Sequence, residues 1–235
     1  MNRAPAVFLA LCAVLLLGVS CEQRTWESAM AAGQRALQKG DYADAERLFA
    51  SAVKKAEDQY GLKDRHVAVA LSSEAQAFVA QGKYVEAEPA YLQALKIFQD
   101  AHGEQHADVA ATLNNLGVLH RMHGQYAQAE PLLLRALAIK ERLHGPDHPD
   151  VALTAHNLGL LYVSQGFPEK AEPLYRRALA IREKALGEGH RDVEKSLDDL
   201  VGLLRKLHRD ADAAPFEARL SAIKRRVVST NLSGR

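Results

Sequence analysis

"DVAATLNNLGVLHRMHGQYAQAEPLLLRALAIKERLHG", residues 108–145, decides the fold. Val109, Leu113, Leu116 and His120 fall at i, i+4, i+7 and i+11, which is one face of an α-helix. Gly124 stands where that helix should stop, because the residue past a helix C-terminus often adopts a left-handed conformation that suits glycine. A second apolar stripe then runs through Ala129, Leu133, Ala136, Leu137 and Ile139 to another stop at Gly145. Small residues at Gly117 and Ala129 allow the two helices to approach closely. Pro131 lies just beyond the first turn, where a proline is less comfortable than at the first helical position, so a local distortion is expected there rather than a break.

The unit recurs along the chain. Gly40, Gly82, Gly124 and Gly166 are each 42 residues apart, with His208 in the fifth place. Ala45, Ala87, Ala129, Ala171 and Ala213 keep the same interval, as do Pro89, Pro131, Pro173 and Pro215. Several residue types holding one register establish a repeat. The joining stretch "HGPDHPDVA", residues 144–152, repeats too: His106, His148 and His190 share the period, and His102 and His144 stand four places before the first two. Histidines at i and i+4 on one helix can chelate zinc. Here the pair straddles the end of one helix and the start of the next. Asp108, Asp150 and Asp192 then meet the positive end of the following helix, and Pro149 suits its first position. The seam reading accounts for the period, and no metal is assigned.

The pattern L-x-x-L-G…G-x-Y-x-x-A-E-P-L-x-x-x-A-L, carried by residues 113–137, resembles the tetratricopeptide repeat. Its 42-residue form, joined by "HGPDHPDVA", is similar to the kinesin light chain type. The resemblance covers residues 25–228, in repeats of about 25–66, 67–108, 109–150, 151–192 and 193–228. It implies an all-α fold: a right-handed α-solenoid of about five helix-turn-helix repeats, with the first helices lining a concave groove for extended peptides or partner helices. One helix pair cannot bury its own apolar faces, so pairs stack. The last repeat departs from the pattern, with His208 for the turn glycine and Glu217 in the usual aromatic place, while Phe216, Leu220, Ile223 and Val227 keep a stripe.

Matching places on the first helices hold Asn114 and Asn115, His156 and Asn157, and Asp198 and Asp199. The resemblance implies that the second residue of each pair faces the groove and bonds a peptide backbone. Asn115 and Asn157 match that motif, whereas Asp199 and Ser73 depart from it. The alternative is that these residues solvate the surface or bond neighbouring helices. Arg121, Lys195, Arg205 and Lys206 are expected on the same side, biasing it toward acidic ligands. The groove candidates are therefore Asn114, Asn115, Arg121, His156, Asn157, Asp199 and Arg205. No nucleophile–base pairing, phosphate loop or paired-carboxylate signature stands out, so no catalytic residue and no cofactor are assigned.

The chain has 235 residues, 48% hydrophobic and 25% charged, with a formal net charge of +1. That balance gives no basic face for nucleic acid. Residues 1–20 read as a signal peptide, with Arg3 their only charge and an apolar run from Ala6 to Val19 too short for a bilayer span. "LGVSC", residues 17–21, resembles a bacterial lipobox with Gly18 where leucine is usual, which implies cleavage before Cys21 and fatty acylation of its thiol; the alternatives are a plain secretory signal with an incidental cysteine and an uncleaved anchor helix. The other cysteine, Cys12, lies inside the apolar run, which leaves no disulfide framework. Residues 21–24 form a short linker, reaching about 14 Å at most. Glu22 resembles the signal of lipoproteins sent to the outer membrane, on its periplasmic face. Residues 229–235 are read as a flexible basic tail. The expectation is a non-catalytic, membrane-anchored scaffold or adaptor for a protein or peptide. A self-associating envelope protein is the alternative, and a metal-dependent enzyme a more remote one.

Overall fold

The computed structural model describes residues 25–233, with side chains through 225. Cys21, the signal peptide and the linker lie outside the described residues. Among the described residues ten helices follow one another: α1 (Trp26–Lys39), α2 (Tyr42–Tyr60), α3 (Arg65–Ala80), α4 (Tyr84–His102), α5 (Ala107–Met122), α6 (Tyr126–His144), α7 (Pro149–Gln165), α8 (Pro168–Leu186), α9 (Arg191–Lys206) and α10 (Asp210–Ser233). They fall into two compact units divided between Glu104 and Gln105. The first unit holds two helix pairs, α1–α2 and α3–α4, and the second holds three, α5–α6, α7–α8 and α9–α10. Within each unit, successive helices pack antiparallel and stack pair on pair, the helix-turn-helix arrangement of a solenoid. None of the described helices is long and apolar enough to cross a membrane.

Glycine punctuates the chain twice per repeat. Gly40, Gly61, Gly82, Gly103, Gly124, Gly145, Gly166 and Gly187 all have φ between +76° and +90°, at intervals of 21 residues. Each helix with its turn therefore occupies half a repeat. Every first helix closes with the same backbone bond: the amides of Asp41, Lys83, Gln125, Phe167 and Arg209 donate to the carbonyls of Ala36, Phe78, His120, Tyr162 and Leu204 at 2.7–3.0 Å. This satisfies carbonyls that the helix end would otherwise orphan. At the ninth such place stands His208, with φ +56°, the only non-glycine residue with positive φ among the described residues. A left-handed conformation costs an L-residue roughly 1–2 kcal/mol. His208→Gly is therefore expected to stabilise the chain by about 1 kcal/mol. A rise in the urea midpoint at unchanged slope would show it, and a fall would refute it.

The helix starts explain the seam histidines. His106, His148 and His190 are the N-caps of α5, α7 and α9, and each Nδ1 accepts from the amide two residues on, Asp108, Asp150 or Asp192, at 3.1–3.2 Å. Asp64 does the same for α3, accepting from the His66 amide at 2.9 Å. Capping requires an acceptor at Nδ1, so these rings carry their proton on Nε2. The rings of His144 and His148 stack 4.5 Å apart. The seam is a capping device.

Packing depends on one small–large pairing. A Cβ at Gly33 would lie 2.6 Å from the Phe49 ring, one at Gly117 2.6 Å from Leu133 Cγ, and one at Gly159 2.5 Å from the Tyr175 ring. Glycine in the first helix thus seats the large residue of the second, and Phe49, Leu133 and Tyr175 are buried accordingly. The stripe of Val109, Leu113, Leu116 and His120 is buried, as are Ala129, Leu133, Ala136, Leu137 and Ile139. Helix α6 runs unbroken through Pro131, as expected of a proline that does not end the helix. At its sixth residue the ring removes one helical bond, and the packed stripe on both sides holds the rest. Helix α10 continues to Ser233, where the sequence reading places a loose tail from 229. No proline or glycine interrupts residues 216–233, so nothing in the sequence stops that helix.

Candidate functional site

Helices α5, α7 and α9 are the first helices of the three pairs in the second unit. The helical period puts the two residues of each polar pair on different sides of these helices. Asn114 and His156 are buried, whereas Asn115, Asn157 and Asp199 are half-buried. Polar rungs connect the helices. Asn157 Nδ2 on α7 donates to Asn114 Oδ1 on α5 at 3.0 Å, and Asn114 Nδ2 reaches Asn115 Oδ1 at 3.4 Å. One repeat further on, the same two positions are Asp199 and His156. There Asp199 Oδ2 on α9 lies 3.4 Å from His156 Nε2 on α7. An amide rung is replaced by a titratable one.

The titratable rung is not a hydrogen bond. His156 Nε2 and Asp199 Oδ2 are both buried and have no hydrogen-bond partner among the described residues, and the same holds for Nε of Arg121. Burial lowers the His156 pKa to about 4, helped by the positive charges of Arg182, Lys195 and Arg121. Burial raises the Asp199 carboxyl, against the pull of Lys195. Three cations and desolvation outweigh one carboxylate, so His156 is neutral and the pair is not an ion pair near pH 7. Its ring stacks on Tyr175 at 5.2 Å and 22°. Unsatisfied buried polar atoms are rare in folded proteins, and three on one face ask for an explanation.

Buried cations form a second set of rungs. Lys140 Nζ donates to Thr154 Oγ1 at 2.9 Å, and its counterpart Arg182 donates to Ser196 Oγ at 2.5 Å. Both hydroxyls also return a bond to their own helix, to the carbonyls of Asp150 and Asp192. Burial pulls the Lys140 pKa down, with Asp150 opposing. Beside it Asn114, Asn115, Asp150 and Leu153 line a cleft of about 270 Å³. A second cleft, of about 260 Å³, opens between α7 and α9 beside Asp199. The sequence places Arg205 among the groove cations; its guanidinium instead meets Glu217 on α10 at 2.6 Å.

The tetratricopeptide repeat family matches this sequence over residues 27–100, 66–142, 108–184 and 154–226, together nearly the whole described chain. The chain belongs to the tetratricopeptide repeat family. Among solved structures, this repeat protein is similar to BtubC (BKLC) from P. vanneervenii, at 25% identity and TM-score 0.74 over 86% of this chain and 80% of that one. It is similar to a putative kinesin light chain from Podosopora anserina, with nearly identical TPR-like repeats, at 21% identity and TM-score 0.73, over 88% of this chain and 98% of that one. It is also similar to aspartyl phosphate phosphatase F from Bacillus subtilis at 19% identity and TM-score 0.74, over 92% of this chain but 56% of that one. The last two likenesses speak for the fold alone. No curated protein matches the sequence.

Tetratricopeptide repeats are typical of protein–protein interaction scaffolds. Within this one, the sequence reading holds the polar pairs but misses Tyr175, Lys140, Arg182 and Gly202. The signal for the two cations is present: their register carries Ala56 and Phe98 in earlier repeats, so a charge there breaks an apolar column.

Proposed function

We propose that this protein is a non-catalytic scaffold that binds a partner protein or peptide across α5, α7 and α9, and that Cys21 anchors it by fatty acylation on the exported side of a bacterial envelope membrane. The observation that carries the binding reading is the row of half-buried polar side chains Asn115, Asn157 and Asp199 on successive first helices. A peptide backbone brings donors and acceptors in alternation and would bond the accessible parts of these side chains. The short linker would hold the repeats close to the bilayer; the "LGVSC" stretch supports the anchor, and Glu22 after it supports an outer-membrane, periplasm-facing location.

Affinity capture from envelope extracts tests the binding. The wild-type chain should retain a protein that Asn115→Ala/Asn157→Ala releases, with helix content unchanged. A stable homo-oligomer that captures nothing would instead favour self-association. Cys21→Ala should free the chain from membranes or block its processing, and unaltered attachment would sink the anchor.

A further inference from the structure

Glycine stands inside four of the first helices, at Gly33, Gly117, Gly159 and Gly202. Three of them are explained by the large side chain that fills their space. Gly202 is not: a Cβ there would meet nothing within 4 Å. A mid-helix glycine costs roughly 1 kcal/mol relative to alanine, so an unpacked one opposes the stability of α9 without return. The same register carries Leu160 and Val118 in the two preceding repeats. Gly202 removes the aliphatic side chain that this column carries in those two repeats, after Gln34 and Gln76 in the first two.

What it leaves is the cleft of about 260 Å³ between α7 and α9. Leu160, Val163 and Leu203 supply apolar walls, while Asp198 and Asp199 stand at one side and Lys206 at another. The Asp199 carboxylate has its buried Oδ2 without a donor. Asp198 is largely exposed and meets Lys224 only at 3.6 Å. Arg121, Lys195, Arg205 and Lys206 lead the sequence reading to an acidic ligand, yet only Lys206 lines this cleft. Among the residues that line the cleft, two carboxylates stand against one ammonium, a balance that favours a cation even with Lys195 and Arg182 acting on Asp199 from outside the lining.

We infer that this cleft docks a short segment of a partner protein in which an aliphatic side chain adjoins an arginine or lysine: the aliphatic group fills the space opened by Gly202, and the cation meets Asp199 and Asp198. The inference rests on the partner-binding reading above and gives it a specificity. The part-exposed Asp199 carboxylate then gains a cation, and Gly202 gains the packing that its helix lacks.

The test uses the full chain and fluorescein-labelled glycine–serine peptides with a central Leu-Arg, Leu-Glu or Gly-Arg, read by fluorescence polarisation. The Leu-Arg peptide should bind about tenfold or more tightly than the other two, the effect of one charged hydrogen bond. Gly202→Leu should abolish that binding while keeping or raising the urea midpoint, because it restores a helix-forming side chain where there is room. Asp199→Asn should reduce the preference for arginine over glutamate. Leu-Glu binding as well as Leu-Arg, unchanged binding by Gly202→Leu, or no binding of any peptide to the wild type each overturns the inference. Leu-Arg binding that Asn115→Ala/Asn157→Ala abolishes and Gly202→Leu does not would leave the partner-binding reading standing and remove only this cleft.

Discussion

Gly159→Leu is expected to lower the stability of the second unit by about 3 kcal/mol, at the upper end for forcing extra methylenes into a packed interior. The cause is local. A Cβ at residue 159 would already sit 2.5 Å from the Tyr175 ring, and the Ala171 carbonyl on the same helix as Tyr175 lies 3.6 Å away, so neither α7 nor α8 has room to give. Tyr175 is buried and its ring is also pinned against His156, which blocks the obvious escape by rotation. Urea denaturation measures the loss. Combining Gly159→Leu with Tyr175→Ala should recover part of it, since the pair then exchanges large for small across the same contact. Strictly additive losses would refute the size-matching argument. The same change at Gly202, one helix pair away, carries the opposite expected sign because nothing occupies the space beside it.

Acidification is expected to cost this protein about 3 kcal/mol through His156 alone. The native pKa of about 4 lies below the roughly 6.5 of an unfolded histidine, so the unfolded chain binds this proton first as pH falls. The stability is whole above pH 6.5, declines between 6.5 and 4, and declines no further from this group once the native ring is protonated too. Asp199 acts the other way: burial raises its native pKa, so the native state takes up a proton ahead of the unfolded carboxyl and offsets part of the loss near the acid end. His156→Asn/Asp199→Asn recreates the amide rung that Asn157 and Asn114 form one repeat earlier. That variant should lose little stability at pH 7 and flatten the profile between about pH 7 and 5. A wild-type urea midpoint that holds steady over that range would show the buried histidine to be of no consequence.

The repeat is legible because it is written redundantly. Glycine, alanine, proline and the apolar stripe each mark the period independently, and losing one, as at His208, leaves the others in register. The seam histidines are legible as architecture for the same reason, although their role as N-caps needs the backbone amides of Asp108, Asp150 and Asp192 in place. The polar pairs are visible as a pattern, but not how each pair divides. Whether Asn157 faces outward or bonds Asn114 depends on the distance between α5 and α7, which no single helix specifies.

The sequence by itself determined the helices, their pairing and the family, since all of these follow from periodicities no longer than one repeat. Only the tertiary structure decided what His156, Asp199 and Gly202 are. Two of them are ordinary polar residues until α7 and α9 come together and remove their water, and the third is an ordinary glycine until its neighbours fail to fill its space. Burial and unfilled space are properties of pairs of helices, and a chain read one helix at a time does not contain them.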